Sequence, residues 1–313
     1  MRIAVFGTGG AGGYFGGRLA RAGEDVTFIA RGEHLRALRE HGLRVESVKG
    51  DFEIQPAQST DNPEEVGEVD VVIIGVKAWQ VPEAAKALRP LVGSGSYVLP
   101  LQNGVEAASQ LAAVLGADRV LGGLAKIFSS VVEPGRIRHV GGPASVAFGE
   151  LDNRPSERVE RLRKAFALAG VTVEVPPDIH VALWEKFMFI APFGGIGAVT
   201  RAPIGTLRSL PETRRMLEQG TREVFQVARA SNIPLDDDAV ARTMAFVDSQ
   251  PPVGTASMQR DLVAGRPSEL EAWNGAVVRL GQQVGVATPL HAFLYLSLLP
   301  LELRARGQVQ LPG

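Results

Sequence analysis

The sequence predicts an α/β fold in the first part of the chain and an all-helical fold in the remainder, and three observations support this. First, short apolar runs alternate with helix-like segments, a pattern typical of a parallel sheet covered by helices on both faces. Second, a glycine-rich segment, residues 7–12, joins the first apolar run to the first helix-like segment. Third, helical periodicity dominates after Asp178. A chain of 313 residues suggests two domains, which we place at 1–177 and 178–313.

Each element of the first domain follows from its local pattern. Short apolar runs rich in β-branched residues predict strands at Arg2–Phe6, Asp25–Ala30, Leu43–Val48, Phe52–Pro56, Val69–Val76, Tyr97–Leu101, Val120–Ile127, Arg136–Val140, Ser145–Gly149 and Val171–Val175. Helical periods between them predict helices that include Gly12–Ala22, Glu33–His41 and Val105–Leu115. Because the later strands follow one another closely, we expect the sheet to be mixed at one edge.

The second domain begins after Pro176-Pro177, where the strand pattern stops. Two sequences fit the capping box, in which Ser and Glu side chains satisfy the free N–H groups that start a helix. They are Ser209-x-x-Glu212 and Ser268-x-x-Glu271. Gly285 is suited to end the helix that follows the second box, since glycine readily adopts the left-handed conformation. These signals predict an all-helical domain.

The glycine-rich segment is G-x-G-x-x-G between a strand and a helix, and its residues are Gly7, Thr8, Gly9, Gly10, Ala11 and Gly12. In this context the first glycine permits the tight turn, and the second lets the backbone approach a pyrophosphate. The third lets the helix pack closely on the strand. The alternative is a plain glycine-rich turn. The context favours a Rossmann-type dinucleotide site, with phosphates held at the helix N-terminus.

The end of the second strand indicates which dinucleotide is bound. Sites for NAD usually carry Asp or Glu there, on the ribose 2′-hydroxyl. Here the strand is followed by Arg31, with no carboxylate at its tip. A guanidinium at this place suits the 2′-phosphate of NADP; the alternative is a solvated loop arginine. We therefore predict NADP(H) as the cofactor.

Composition excludes several classes of function. The net charge is −1 with 21% charged residues, so we expect no nucleic-acid partner. There is no cysteine, and the five histidines show no metal-ligand spacing, so we predict no metal. The apolar stretches Phe187–Thr200 and His291–Leu301 contain Pro or Gly and read as too short to span a bilayer. Because the first strand begins at residue 2, we expect no leader peptide and a cytoplasmic location.

Polar side chains follow two predicted strands of the first domain. Lys77 comes after the strand that includes Val71–Val76, and Asn103 comes after Tyr97–Leu101. In an open α/β sheet ligands bind outside the carboxyl ends of the strands. We therefore expect both residues beside the cofactor; the alternatives are a loop lysine and an Asn-Gly turn.

The helix predicted from Asp178 is apolar almost all round, and Glu185 and Lys186 are its charged residues. A lysine on a buried helix needs a partner or loses its proton. Lys186 is thus a candidate general acid for a ketone oxygen, and the alternatives are a structural ion pair or a lysine that reaches the surface. Further along, Glu269 shares a helical face with Trp273 and could hold a lysine ammonium or a substrate hydroxyl. Its alternative role is to complement the helix dipole.

Together these segments resemble the ketopantoate reductase (2-dehydropantoate 2-reductase) family. The ordered matches are Gly7–Gly12, Ala30-Arg31-Gly32, Val76-Lys77-Ala78-Trp79-Gln80-Val81, Gln102-Asn103-Gly104, Trp184-Glu185-Lys186-Phe187 and the stretch from Ser257 to Gly275. The resemblance implies NADPH-dependent reduction of a 2-oxo acid, in pantothenate biosynthesis.

The resemblance also implies roles for individual residues. The residue matching Lys186 donates the proton, and the one matching Asn103 contacts both the nicotinamide ribose and the substrate. The residue matching Ser257 binds substrate, and the one matching Glu269 lines the cofactor and catalytic region. The residues matching Arg31 and Lys77 serve the cofactor.

The chain departs from the family pattern at two positions. The family has asparagines four and eight residues after the catalytic lysine, and here these are Ile190 and Gly194. Both share a helical face with Lys186, so the substrate wall is expected to be more apolar at Ile190 and roomier at Gly194. The natural substrate is then either ketopantoate or a different, less polar or bulkier 2-oxo acid or ketone. A third hypothesis is a non-catalytic NADP(H) sensor. We also expect a homodimer, the commonest oligomer.

Overall fold

The computed structural model describes residues 1–310. The chain divides into two compact units, Met1–Ile179 and a second that begins at His180. In chain order the strands of the first unit are β1 (Arg2–Phe6), β2 (Asp25–Ile29), β3 (Leu43–Ser47), β4 (Phe52–Ile54), β5 (Ser59–Thr60), β6 (Val71–Ile74), β7 (Tyr97–Pro100), β8 (Leu121–Glu133), β9 (Arg136–Glu150) and β10 (Thr172–Glu174). Its α-helices are α1 (Gly10–Arg21), α2 (Gly32–His41), α3 (Val81–Ala87), α4 (Ala107–Leu115) and α5 (Glu157–Leu168).

Five parallel strands form the first sheet, in the order β5-β2-β1-β6-β7. The chain starts in the middle strand, moves outward through β2 and β5, and then crosses to β6 and β7 on the other side of β1. The strand order therefore reverses between β1 and β6, which is the switch point where ligands bind in such sheets. This arrangement confirms the predicted Rossmann-type fold class. It also places Gly7 and Lys77, which follow β1 and β6, at one edge.

A second sheet differs from the prediction. The expectation of one sheet mixed at an edge by the later strands is wrong, because the first sheet is parallel throughout. The later strands form a separate sheet with β3 and β4, ordered β10-β9-β3-β4, in which β8 pairs with β9. The two strands predicted at 136–140 and 145–149 are one strand, β9, which pairs along most of its length with β8. The Gly141-Gly142-Pro143 segment lies between the two predicted strands, and register shifts after Lys126 and Phe128 let the ladder continue past it.

The second unit is helical, and residues 180–310 contain no strand. Its helices are α6 (Ile179–Thr200), α7 (Ile204–Ser209), α8 (Pro211–Ala230), α9 (Ala239–Ser249), α10 (Ser257–Val263), α11 (Ala276–Val284) and α12 (Pro289–Ala305). A π-helical turn, Glu271–Gly275, leads directly into α11. The all-helical prediction for this part of the chain is therefore confirmed.

The apolar stretch Phe187–Thr200 is part of the longer helix α6. The expectation that such a stretch is too short to span a bilayer is wrong, because α6 is long and apolar enough by length and composition. However, 67% of its most apolar window is buried inside the protein, as in the core helix of a soluble protein. By itself the helix is therefore weak evidence for a membrane span.

Pro192 lies inside α6, where it has no N–H to offer the carbonyl of Met188 one turn earlier. The hydroxyl of Thr221 on α8 donates to this carbonyl oxygen at 3.3 Å. Thr221 is buried, at 1% exposure, so the bond forms away from water. The proline is tolerated because a neighbouring helix supplies the missing donor.

Neither predicted capping box forms. The hydroxyl of Ser209 donates to the carbonyl of Thr206, and α8 begins two residues later, at Pro211. The N–H of Ser268 is instead bound by Glu302 of α12, at 3.0 and 3.1 Å to its two carboxylate oxygens. A distant carboxylate thus replaces the local one. The prediction for Gly285 is confirmed, since it ends α11 with a φ of 71°.

Glu223 on α8 and His291 on α12 form a buried hydrogen-bonded pair. The carboxylate of Glu223 accepts the N–H groups of Leu290 at 3.0 Å and His291 at 3.1 Å, and Nδ1–H of His291 at 2.8 Å. Burial by itself raises the pKa of Glu223, but the hydrogen bonds from His291 and Leu290 together leave this pKa below its usual value. The ionised carboxylate therefore caps α12 and joins it to α8.

We predict that Glu223→Gln lowers the free energy of unfolding by about 3 kcal/mol at pH 7, because a buried ionic hydrogen-bond network loses its charge. A carboxyl whose pKa is lowered on folding stabilises the protein above its unfolded pKa of about 4.3, and this contribution disappears as the pH falls through the folded pKa. Urea unfolding at several pH values should show the difference between wild type and variant shrinking in acid.

The control is Glu218→Gln, which removes an exposed ion pair with Arg222 on the same helix. We expect this change to cost less than about 1 kcal/mol. Equal losses in the two variants would contradict a special role for Glu223.

Candidate active site

Several glycines of the segment after β1 leave no room for a side chain, among them Gly7 and Gly12. Gly7 has a φ of 96°, and a Cβ there would lie 2.7 Å from the backbone nitrogen of Val76. A Cβ on Gly12 would lie 2.2 Å from the carbonyl oxygen of Gly7. Both distances are shorter than any normal contact, so side chains at these positions would displace backbone. The turn thus brings the start of α1 against the ends of β1 and β6.

Gly9 differs from these two glycines, because the protein leaves space around it. The nearest atom to a Cβ placed on Gly9 is the carbonyl oxygen of Gly75, at 3.5 Å, which is an ordinary contact. Gly9 is also the N-cap of α1, and no side chain caps that helix. The first-turn N–H groups of α1 and the open side of Gly9 therefore fit a phosphate-bearing ligand. The hydroxyl of Thr8, in the same turn, donates to the carbonyl of Ile29 at 3.3 Å.

Arg31 lies where the sequence predicted a phosphate-binding residue. It follows β2 after one residue and is the N-cap of α2. Its side chain is exposed. Within residues 1–310 its guanidinium makes no hydrogen bond or ion pair, whereas nearby Arg36 pairs with Glu33. A guanidinium without a protein partner at this strand end is available for an anionic ligand.

Lys77 and Asn103 follow neighbouring strands, β6 and β7. Gln102 joins these two strand ends, because its Nε2 donates to the carbonyl oxygens of Ile74 and Val76, both at 2.9 Å. Gln102 is 5% exposed and was not among the predicted site residues. In the sequence, its position directly before Asn103 was the feature that could have indicated a role at the site. Only the structure shows that Gln102 holds the two strand ends together.

In the second unit Lys186, Ile190 and Gly194 recur every four residues along α6 and mark one face of it, which we call the Lys186 face. Lys186 is partly buried, and Ile190 is 8% exposed. The expectation that Gly194 leaves extra room is wrong. A Cβ on Gly194 would lie 2.6 Å from Cζ3 of Trp273, because the indole ring already occupies this space.

Two further segments with predicted site residues pack at the same glycine. Met258, which follows Ser257 at the start of α10, has its Cε 3.2 Å from the Cβ position of Gly194. Trp273 is one turn after Glu269 and donates its backbone N–H to the Glu269 carbonyl at 3.0 Å. Glu269 is 4% exposed. The structure thus brings the segments of Ser257 and Glu269 to the Lys186 face.

Among residues 1–310 no group of three or more His, Asp or Glu side chains could hold a metal ion. Two histidines of the first unit have structural environments. His34 accepts the N–H of Gly135 at 3.0 Å, and burial lowers its pKa. His139 contacts Ser47 at 2.8 Å, and burial lowers its pKa as well.

We predict that Gly12→Ala and Gly9→Ala differ sharply in stability. The first should lower the free energy of unfolding by about 3 kcal/mol, because the new methyl group overlaps a backbone oxygen. The second should cost less than about 1 kcal/mol, since Gly9 has an extended backbone that alanine adopts freely. Urea unfolding without added ligand measures both, and a stable Gly12→Ala variant would contradict the described turn.

Comparison with known proteins gives consistent matches along the chain. The family described as "Ketopantoate reductase PanE/ApbA" matches residues 3–153, and its C-terminal counterpart matches residues 178–302. The 2-dehydropantoate 2-reductase of Halobacterium salinarum is 32% identical over 292 residues, which cover 93% of this chain and 95% of that protein. An uncharacterised oxidoreductase of Bacillus subtilis, YkpB, is 30% identical over 95% of this chain and 98% of its own length.

A solved structure agrees with these matches. The 2-dehydropantoate 2-reductase of Geobacter metallireducens superposes with a TM-score of 0.89 and 33% identity, covering 96% of this chain and 99% of that one. Matches of this extent in both units show the family and its oxidoreductase chemistry on 2-oxo acids. The chain therefore belongs to the ketopantoate reductase family.

Proposed function

We propose that the protein is an NADPH-dependent reductase of a 2-oxo acid, with 2-dehydropantoate as the first candidate and pantoate as its product. The observation that carries the proposal is the Lys186 face of α6. A partly buried lysine stands there on a helix whose other charged residue is Glu185, and the segments of Ser257 and Glu269 pack on the same face at Gly194. Relatives at about 30% identity that carry the name 2-dehydropantoate 2-reductase support this substrate.

The residues of the first unit fit a dinucleotide cofactor. Gly9 offers open space beside the uncapped N-terminus of α1, where a pyrophosphate can approach the backbone. Arg31, exposed and without a protein partner in residues 1–310, suits the 2′-phosphate that distinguishes NADP(H) from NAD(H). Lys77 and Asn103 follow adjacent strand ends and are assigned to the same cofactor. Residues Gly7 to Gly12 form its phosphate-binding turn.

Each catalytic residue has a role in the proposed reduction. When bound, the reduced nicotinamide supplies the hydride that forms the new C–H bond at the 2-oxo carbon. Lys186 Nζ gives its proton to the carbonyl oxygen as the C–O double bond breaks, and water then reprotonates the amine. Asn103 and Ser257 orient the substrate, and Glu269 holds the lysine or a nearby hydroxyl. The products are a 2-hydroxy acid and oxidised cofactor.

Arg31→Ala should weaken NADPH binding at least tenfold and leave NADH binding unchanged, because only NADPH carries the phosphate that the guanidinium binds. Fluorescence titration of each reduced cofactor gives the two dissociation constants. Arg36→Ala is the matched control, since it removes an exposed arginine from the same helix. Equal losses for both cofactors in Arg31→Ala would contradict the phosphate assignment.

Lys186→Ala should lower kcat at least ~10²-fold, the usual scale for loss of a general acid, with NADPH affinity unchanged. The measurement is NADPH oxidation followed by absorbance with a reactive 2-oxo acid. Lys86→Ala, at an exposed lysine paired with Glu83, serves as the control. Turnover at the wild-type rate in Lys186→Ala would show that another group supplies the proton.

A second candidate substrate is a less polar 2-oxo acid or ketone, and Ile190 favours it. This side chain is apolar, 8% exposed and one turn from Lys186 on the same face. Ranking a panel of 2-oxo acids and ketones by kcat/KM separates the candidates, because a clear preference for 2-dehydropantoate would end the second. If the protein binds NADPH but oxidises it with no member of the panel, the result would instead support a non-catalytic NADP(H) sensor.

The expected homodimer and cytoplasmic location stay predictions. Helix α12 carries exposed apolar side chains, among them Phe293 at 57% and Leu296 at 63% exposure. Such side chains are compatible with self-association. The division at residues 177/178 into a cofactor domain and a substrate domain is likewise proposed.

A further inference from the structure

Trp273 and Gly194 fit together on the Lys186 face of α6. A Cβ on Gly194 would lie 2.6 Å from Cζ3 and 2.7 Å from Cε3 of the indole ring. Trp273 is 2% exposed, and its position is fixed by the backbone bond to Glu269 and by the π-helical turn around it. Tryptophan, the largest type of side chain, thus occupies the space left by glycine, the smallest residue. A side chain at position 194 would therefore require the ring to move.

A tryptophan at position 273 has a cost that a smaller apolar residue would avoid. Its indole N–H is buried and has no hydrogen-bond partner in residues 1–310. A buried donor without a partner costs free energy that a phenylalanine or leucine would avoid. The π-helical turn is a second unusual feature, since such turns are rare and frequent at functional sites. A phenylalanine or leucine would avoid the unpartnered N–H, but it would fill less of the space beside Gly194. Ring size is therefore the property that distinguishes tryptophan here.

We propose that Trp273 limits the length of the substrate side chain, so that the protein favours compact 2-oxo acids over long aromatic ones. This inference rests on the proposed function, in which the Lys186 face lines the substrate. Gly194 is two turns from Lys186, about 12 Å along α6, with Ile190 between them. A substrate whose carbonyl lies at Lys186 and whose side chain extends past Ile190 would meet the indole ring.

The sequence alone indicated a roomier substrate wall at Gly194, and the structure indicates the opposite. Glycine at this position does not enlarge the site for a bulky substrate, because its neighbour fills the space. Shortening residue 273 should therefore open room beside Gly194, one turn beyond Ile190 on the same face. The variants that test this are Trp273→Leu, which removes the ring, and Trp273→Phe, which removes only part of it.

The test compares kcat/KM for two probes, 2-oxoisovalerate and 2-oxo-4-phenylbutanoate, with NADPH as reductant. Trp273→Leu should raise the ratio of the long probe to the compact one at least tenfold over wild type, and Trp273→Phe should raise it less. Trp184→Leu is the control, because Trp184 is also buried, at 7% exposure, but lies on another face of α6. Its ratio should match that of wild type.

The contact itself is tested by a double-mutant cycle on thermal unfolding. Gly194→Ala should lower Tm in the wild-type background and have little effect in the Trp273→Leu background, where the methyl group has room.

A wild type that reduces no 2-oxo acid would overturn the proposed function and this inference with it. An active wild type whose ratio is unchanged in both Trp273 variants would overturn the inference alone. Additive Tm changes would also overturn it.

Discussion

Close approach between backbone segments, possible only where a side chain is missing, is the constraint on which the first unit depends. The carbonyl oxygen of Gly7 lies 2.2 Å from where a Cβ of Gly12 would be and 2.5 Å from where a Cβ of Gly75 would be. One carbonyl therefore meets the first turn of α1 and the end of β6. This close approach places the uncapped start of α1 beside the ends of β1 and β6, and the proposed contacts to the cofactor's pyrophosphate follow from that geometry.

The same constraint acts in the second unit, with another consequence. Three glycines of α6 each meet a different neighbour: Gly194 meets Trp273, Gly195 meets the amide of Asn274, and Gly197 meets Gln259. The helix can thus pack tightly against the π-helical turn and α10, which carry the segments of Glu269 and Ser257. A neighbouring helix also supplies a missing donor to α6, because the hydroxyl of Thr221 replaces the N–H that Pro192 lacks.

The elements that were predicted correctly have strong local signals. The glycine turn, the strand ends at Lys77 and Asn103, and the left-handed end of α11 at Gly285 all depend on residues close in sequence. The errors arise where distant residues compete with local ones. Glu302 takes the N–H of Ser268 from the predicted capping box, and pairing with β8 carries β9 through Gly141-Gly142-Pro143. The Trp273 ring over Gly194 joins residues 79 positions apart, so no local pattern could have indicated it.

The central claim is that the protein transfers a hydride from NADPH to the carbonyl carbon of a 2-oxo acid. The most direct measurement uses NADPH that carries deuterium at C4, in each of its two stereochemical forms, in ordinary water. Mass spectrometry and NMR of the product should find one deuterium on C2 of the 2-hydroxy acid with one form of the cofactor and none with the other. A product whose C2 hydrogen always comes from water would contradict direct hydride transfer, and no product with either form would contradict the assigned chemistry altogether.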